Sequence, residues 1–120
     1  MDTLAGRRVL LVEDEYFIVD DMVRLFRANG AEVVGPAANV NDALGLIEGA
    51  GHLDGAVLDV NLQGEMAYPV ADALLARGVP FVFATGYDRT SIPARYDHIA
   101  CCEKPIVPGT IARTLFTPSS

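Results

Sequence analysis

The sequence contains no tryptophan, only two cysteines and few basic residues. Because Cys101 and Cys102 are adjacent in the chain, we expect no structural disulfide, and we interpret both as reduced core residues of a cytoplasmic protein. No apolar run approaches the roughly 18 residues that a membrane span requires. The opening "MDTLAGRR" has no apolar segment behind its basic pair, so no signal peptide is predicted.

Positive charge is scarce as well. Nine Lys and Arg face sixteen Asp and Glu, which gives a net charge of −7, and the basic residues form no cluster. This balance argues against nucleic acid or an anionic membrane as a direct partner. The 120 residues are 51% hydrophobic, which predicts a single domain, 1–120, with a sizeable core.

What the sequence does contain is a regular alternation. Short runs that are apolar on both faces are typical of buried parallel strands. Five such runs occur: "RVLLV" 8–12, "AEVVG" 31–35, "GAVLDV" 55–60, "VPFVFA" 79–84 and "HIACC" 98–102.

Helical spacing of apolar residues fills the intervals between these runs, at 16–29, 40–48, 67–77 and 109–116. Asn39, with Asp42 three residues later, is placed to cap the second helix, and Gly30 and Gly78 are placed to end the first and third. The stretch 88–97 contains Pro93, so any helix there must be short or irregular.

A βα unit repeated five times predicts an α/β fold: a (βα)5 doubly wound, five-stranded parallel sheet with helices on both faces. In such sheets ligands bind beyond the carboxyl ends of the strands. The polar residues at those ends are Glu13-Asp14-Glu15, Asp59, Thr85 and Lys104-Pro105.

These residue types suggest phosphoryl chemistry. Carboxylates brought together repel each other and recruit a cation, and oxygen ligands of this kind suit Mg²⁺ or Mn²⁺. Lys104 as a point charge and Thr85 as a hydroxyl donor would complete a cradle for a phosphoryl group. Asp59 could then act as a nucleophile and form an acyl phosphate.

The combination of acidic pair, "LDV" aspartate, strand-end Thr and "KP" resembles the receiver domain of two-component response regulators, the CheY-like fold, over about residues 7–117. The resemblance implies the flavodoxin-like strand order 2-1-3-4-5. It also implies that Asp59 is the phosphoacceptor, that Thr85 contacts the phosphoryl oxygens and that Lys104 pairs with the phosphate.

The same resemblance implies the metal ligands and the tuning positions. Glu13, Asp14 and Asp59 would hold the metal together with the backbone carbonyl of Asn61. Asn61 and Tyr87 would tune dephosphorylation, Gly86 lies between Thr85 and Tyr87, and Lys104-Pro105 matches a peptide bond that is cis in the family.

"FATGY" at 83–87 is similar to the signature of a receiver subgroup called FAT GUY. That subgroup tends to pair with histidine kinases of the HWE or HisKA2 type, and it lacks the usual aromatic switch residue on the fifth strand. Cys101 stands at that position here. Tyr87 is the nearest substitute, although an aromatic that merely covers the fourth crossover fits equally well.

Simpler structural roles compete with these interpretations. Glu13 and Asp14 could complement a helix dipole, Thr85 could be a turn residue, and Lys104 could be a solvated surface lysine. A helix-terminal role is what we expect of Glu15. His52 and His98 have no second ligand at metal-like spacing, so we interpret both as surface residues.

The sequence therefore predicts a receiver that accepts a phosphoryl group from a kinase or phosphotransferase phosphohistidine onto Asp59. It would hydrolyse that group slowly and signal through an unnamed protein partner, with no output domain, rather than act as a conventional enzyme. A phosphate sink or shuttle, or a receiver excised from a hybrid kinase, are the alternatives. A haloacid-dehalogenase-like phosphohydrolase fits less well, because Asn61 replaces the expected second acid and no cap domain fits.

Overall fold

The computed structural model describes residues 4–86 and 92–116. In chain order the elements are β1 (Arg8–Val12), α1 (Tyr16–Ala28), β2 (Glu32–Ala37), α2 (Val40–Gly49), β3 (Gly55–Asp59), β4 (Asn61–Leu62), β5 (Glu65–Met66), α3 (Tyr68–Ala76), β6 (Phe81–Thr85), a 3₁₀ turn (Ala94–Tyr96), β7 (Cys101–Glu103) and α4 (Pro108–Phe116).

Five of the strands form one parallel sheet in the order β2-β1-β3-β6-β7. Counted among these five alone, the order is the predicted 2-1-3-4-5. The predicted doubly wound α/β fold is thereby confirmed.

Alternate residues of each strand pack into two separate cores, because successive side chains point to opposite faces of a sheet. Leu10, Leu58 and Phe83 pack on one face with the apolar sides of α2 and α3. Val57 and Val82 pack on the other face with α1 and α4. Helices therefore cover both faces, which is why the strand sequences are continuously apolar.

The predicted ends of the first two helices are correct. Asn39 accepts a hydrogen bond from the Asp42 N–H at 2.8 Å and so caps α2. Gly30 follows α1 with a φ of +87°, and a Cβ there would lie 3.0 Å from the Ala5 Cα. Only glycine fits this left-handed position without strain.

The second strand is longer than predicted. It continues through Gly35 and Pro36 to Ala37. Leu10 pairs with Val34 and Val12 with Ala37, so β2 has one extra residue at this point of its pairing with β1. A proline is tolerated there because β2 is an edge strand. The Gly35–Pro36 bond is cis, as is Lys104–Pro105, which the resemblance led us to expect.

The sequence predicted two of the connections unequally well. A two-stranded hairpin, β4–β5, precedes α3, where the sequence analysis assigned no secondary structure. Its two turn residues, Gln63 and Gly64, both have positive φ, which is the signature of a tight two-residue hairpin turn. In the connection between β6 and β7, the described residues contain the 3₁₀ turn and no α-helix, in agreement with the weak helical pattern around Pro93.

We predict that Leu74→Ala and Leu75→Ala will differ strongly in stability. Leu74 is fully buried between α3 and the sheet, whereas Leu75 is 41% exposed. Removal of the buried side chain leaves a cavity and should lower the free energy of unfolding by about 2–5 kcal/mol. Urea unfolding of both variants measures the difference, and equal losses would contradict the described packing of α3.

Candidate functional site

Four strand ends bring the polar residues together. Glu13 and Asp14 follow β1, Asp59 is the last residue of β3, Thr85 is the last residue of β6, and Lys104 follows β7. The register places these ends side by side, because Leu58 pairs with Val12, and Ala84 pairs with Asp59. Residues from distant parts of the chain thus meet at the carboxyl edge of the sheet.

Lys104 connects the acidic residues of this group. Its Nζ donates to Glu13 Oε1 at 2.7 Å and to Asp59 Oδ2 at 3.2 Å, and Glu15 Oε1 lies 3.8 Å away. The side chains of Glu13 and Asp59 are 2% and 10% exposed. One ammonium group therefore contacts two buried carboxyl groups directly, but its single positive charge cannot balance both.

The acids outnumber the base. Burial and the nearby Asp59 carboxyl raise the pKa of Glu13, and Lys104 partly opposes them. The net result is a pKa of about 8. Burial alone would lower the pKa of Lys104, but its contacts with Glu13 and Asp59 outweigh that effect and raise it. The excess of acid favours an additional positive charge at the site.

Glu13, Asp14 and Asp59 form a group that could hold a metal ion, since one carboxylate oxygen of each lies within 4.8 Å of the others. Both oxygens of Glu13 already have partners, Lys104 and the Asp14 N–H, the latter at 3.1 Å. Asp14 is only half-buried and lines the cleft. Oxygen ligands with open positions suit a hard divalent cation.

Thr85 contributes a polar atom without a partner. The residue is 4% exposed, and its Oγ1 makes no hydrogen bond within the part of the chain that the structure describes. Its carbonyl accepts the Lys104 backbone N–H at 2.9 Å, which ties β6 to the lysine. A buried hydroxyl without a partner is costly, and such an atom at the wall of a cleft fits contact with a ligand.

Asn61 has a structural contact that the sequence did not reveal. Its side-chain Oδ1 accepts the Gly64 N–H at 2.6 Å and so closes the hairpin, while its own N–H donates to Asp59 Oδ1 at 3.4 Å. Gln63, Gly64 and Met66 of this hairpin line the cleft, and we predicted none of them. The Gln-Gly pair between two short extended segments was the available signal.

The cleft that these residues enclose has a volume of about 490 Å³. Glu15 and Gly86 line it in addition to Asp14, Asp59, Thr85 and Lys104. Glu15 precedes α1 as predicted, and it also lies beside the site. Pro105 does not line this cleft and borders a second hollow beside β7. Tyr87 lies outside the described residues.

The remaining predicted residues lie elsewhere. His52 is 75% exposed and bonds Asp54 at 2.8 Å, and His98 is exposed, as expected for surface residues. Cys101 and Cys102 are half-buried, and they pack against opposite cores of the sheet. Both are less buried than the predicted core position implies, because β7 is an edge strand.

Comparisons with known proteins identify the family to which this fold belongs. The chain is 36% identical to SdrG from Sphingomonas melonis Fr1, covering 96% of this chain and 95% of that one with a TM-score of 0.78. It is 37% identical to the BeF3-activated conformation of SdrG from Pseudomonas melonis Fr1, covering 96% of each chain with a TM-score of 0.74. A CheY-like response regulator receiver domain protein from Methanospirillum hungatei JF-1 is 25% identical, with 85% and 84% coverage and a TM-score of 0.73.

The chain belongs to the CheY-like receiver domains of response regulators. No protein-family profile and no curated protein matches it. Among the described residues, no helix has the length and apolar character needed to span a bilayer.

We predict that stability in EDTA will fall as the pH rises. Because the pKa of Glu13 is raised above its ordinary value of 4.5, the folded state binds a proton that the unfolded state releases. Folding is therefore progressively destabilised between about pH 4.5 and 8. Thermal unfolding across this range should show a falling midpoint, and Glu13→Gln should flatten the dependence.

Glu48→Gln is the matched control, because Glu48 is an exposed carboxylate on α2. It should leave the pH dependence as it is in the unaltered protein. An equal slope in the Glu13 variant would show that Glu13 does not carry the effect.

Proposed function

We propose that this chain is a single receiver domain that accepts a phosphoryl group on Asp59. The observation that carries this proposal is the pairing of Lys104 with Glu13 and Asp59 beside the Thr85 hydroxyl, which has no partner among the described residues. Asp59 can accept the phosphoryl group, while the Lys104 ammonium group and the Thr85 hydroxyl can contact its oxygens. The similarity to SdrG, which has a BeF3-activated conformation, supports the same chemistry.

Asp14, Asp59 and Glu13, with the Asn61 backbone carbonyl, are the residues we assign to an Mg²⁺ or Mn²⁺ ion. When bound, the metal would neutralise the charge of the phosphoryl oxygens. Asp14 is the most available ligand, since both oxygens of Glu13 have protein partners. The excess of carboxylates over Lys104 makes the cleft favourable for a cation.

The transfer itself is a displacement at phosphorus. An Asp59 Oδ forms the new O–P bond, and the N–P bond of the donor phosphohistidine breaks. The donor imidazole carries a proton on its other ring nitrogen, so it leaves as neutral histidine with the electron pair on the freed nitrogen. Lys104 offsets the negative charge on the phosphoryl oxygens, and the Thr85 O–H donates to one of them. Water later cleaves the acyl phosphate, which releases inorganic phosphate and restores the Asp59 carboxylate.

Such a protein catalyses only its own phosphorylation and dephosphorylation. We assign it to cytoplasmic signalling, with a histidine kinase or phosphotransferase upstream and a protein partner downstream. "FATGY" supports the FAT GUY subgroup and hence an HWE or HisKA2 kinase. A sink or shuttle for phosphate uses the same site and differs only in the lifetime of the acyl phosphate.

Phosphorylation should depend on Asp59 and on divalent metal. With Mg²⁺ and phosphoramidate, the protein should gain the mass of one phosphate, whereas Asp59→Asn and an EDTA-treated sample should gain none. Thr85→Ala should still be phosphorylated, but with altered lifetime, because it loses a donor and not the nucleophile. Intact-mass spectrometry over time measures both quantities.

Modification that persists in Asp59→Asn would contradict the assignment of the acceptor. Turnover of a phosphate ester, such as p-nitrophenyl phosphate, would instead indicate a hydrolase. Asp54→Asn is a suitable control, since Asp54 bonds the Arg8 N–H at the opposite end of the sheet.

The surface beside the cleft offers a contact for the protein that donates the phosphoryl group. Tyr16 and Phe17, at the start of α1, are 80% and 86% exposed and directly follow the cleft residue Glu15. Exposed aromatic residues of this kind are typical anchors of protein interfaces. We predict that Phe17→Ser will slow transfer from an autophosphorylated HWE or HisKA2 kinase about tenfold or more.

The same variant should accept phosphate from phosphoramidate at the unaltered rate. Leu25→Ser is the matched control, because Leu25 is exposed near the other end of α1. Equal slowing with both donors would show damage to the site and not to a docking surface.

A further inference from the structure

Tyr96 is the one fully buried tyrosine in the described part of the chain, with 1% exposure. It ends the 3₁₀ turn Ala94–Tyr96 in the connection between β6 and β7, among residues that are mostly exposed. A large side chain buried from such a short turn must be held by specific contacts, since the turn itself supplies little structure.

The Tyr96 ring joins two elements of the fold. It stacks on Tyr68 at the start of α3, with ring centroids 5.3 Å apart and an interplanar angle of 20°. It also meets the edge of Phe83 in β6, at 5.6 Å and 81°. Both geometries are favourable for aromatic pairs.

The Tyr96 hydroxyl is held from two sides. It donates to Asp72 Oδ1 on α3 at 2.6 Å and accepts from Arg95 Nη2 at 2.6 Å. Burial and the Asp72 bond raise the pKa of Tyr96, so its phenol stays protonated and can donate. Hydrogen bonds to charged groups are the stronger ones, and they are directional.

Phe83 links this contact to the phosphoryl site. Phe83 and Thr85 are two residues apart in β6, so their side chains point to the same face of the sheet. Tyr96 packs on Phe83, so a displacement of the end of β6 at Thr85 would reach Tyr96 through Phe83. The Thr85 hydroxyl has no partner among the described residues, and the bond of Tyr96 to Asp72 is formed.

We propose that the contact of Tyr96 with Asp72 and Arg95 is a latch that holds residues 92–97, which precede β7, against α3 and opposes the response to phosphorylation. The proposal rests on the proposed function, because it names the regulation of the same site. Engagement of Thr85 by a phosphoryl group competes with the latch. The latch opens when the site is filled, and the surface formed by the 3₁₀ turn and α3 changes.

Linkage gives this proposal a measurable consequence. If the closed latch opposes binding at the cleft, its removal must tighten that binding by the same coupling factor. We expect Tyr96→Phe and Asp72→Ala each to raise the affinity for beryllofluoride, in the presence of Mg²⁺, by about fivefold or more. Titration followed by backbone amide NMR measures this affinity at residues that line the cleft.

Both variants remove the bond between the Tyr96 hydroxyl and Asp72, and each keeps an aromatic ring at position 96. The double variant should bind as tightly as the tighter single variant, because both remove the same contact. The matched control is Asp20→Ala, which removes an exposed acid that pairs with an arginine, Arg24, on α1. Its affinity should equal that of the unaltered protein.

The spectra also report the latch itself. In the unaltered protein, beryllofluoride should shift the amides of 92–97 and of the start of α3 as well as those of the cleft. In the two variants the amides of 92–97 should already be displaced toward those positions before beryllofluoride is added. A purely structural role of Tyr96 would lower stability without raising affinity for a ligand at the cleft.

Unchanged or weaker affinity in both variants would overturn the latch and leave the proposed function standing. A rise in only one variant would also contradict it, since the proposal concerns the contact between the two residues. If the unaltered protein shows no change at the cleft with beryllofluoride and Mg²⁺, the proposed function fails and the latch fails with it.

Discussion

The structure of the site depends on one interaction, the ammonium group of Lys104 lying between the carboxylates of Glu13 and Asp59. An unpaired carboxylate at either buried position would cost several kcal/mol. Lys104 is far from both acids in sequence, so only a parallel sheet with adjacent strand ends brings the three groups together. The order of the strands and the chemistry of the cleft are therefore parts of one arrangement.

This arrangement satisfies some of its charges and leaves others available. Glu13 is bonded on both oxygens, whereas Asp14 lines the cleft and the Thr85 hydroxyl has no partner within the described part of the chain. The groups with partners position the lysine, and those without partners are the ones a ligand can contact. Both kinds are necessary, because a fully satisfied site would have no reason to bind and an unsatisfied one would destabilise the fold.

Much of the fold and of the site could be predicted from the sequence, because both follow from local signals. Apolar runs indicated the strands, Asn39 and Gly30 indicated helix ends, and the polar residue at each strand end indicated the cleft. What escaped prediction depends on pairing between distant segments. The extension of β2 past Pro36 requires its neighbour β1, and the hairpin that carries Gln63 is only two residues long on each side.

The aromatic contact beside β6 illustrates the same limit and bears on how a signal could leave the site. Cys101 pairs with Phe83 across the edge of the sheet, and it belongs to the same core as Phe83 and Tyr96. Because the residue on the edge strand is small, the aromatic contacts of Phe83 come from other positions: Phe81 in β6, Tyr68 in α3 and Tyr96. Tyr96 makes its contact from the connecting turn, and its hydroxyl bonds it to α3. The sequence showed the small residue at position 101, but it could not show that a tyrosine five residues earlier would fill the adjoining space, since that depends on how the turn folds back onto the sheet. A contact of this kind places the coupling element in the connection, where its opening changes a surface and not only the interior.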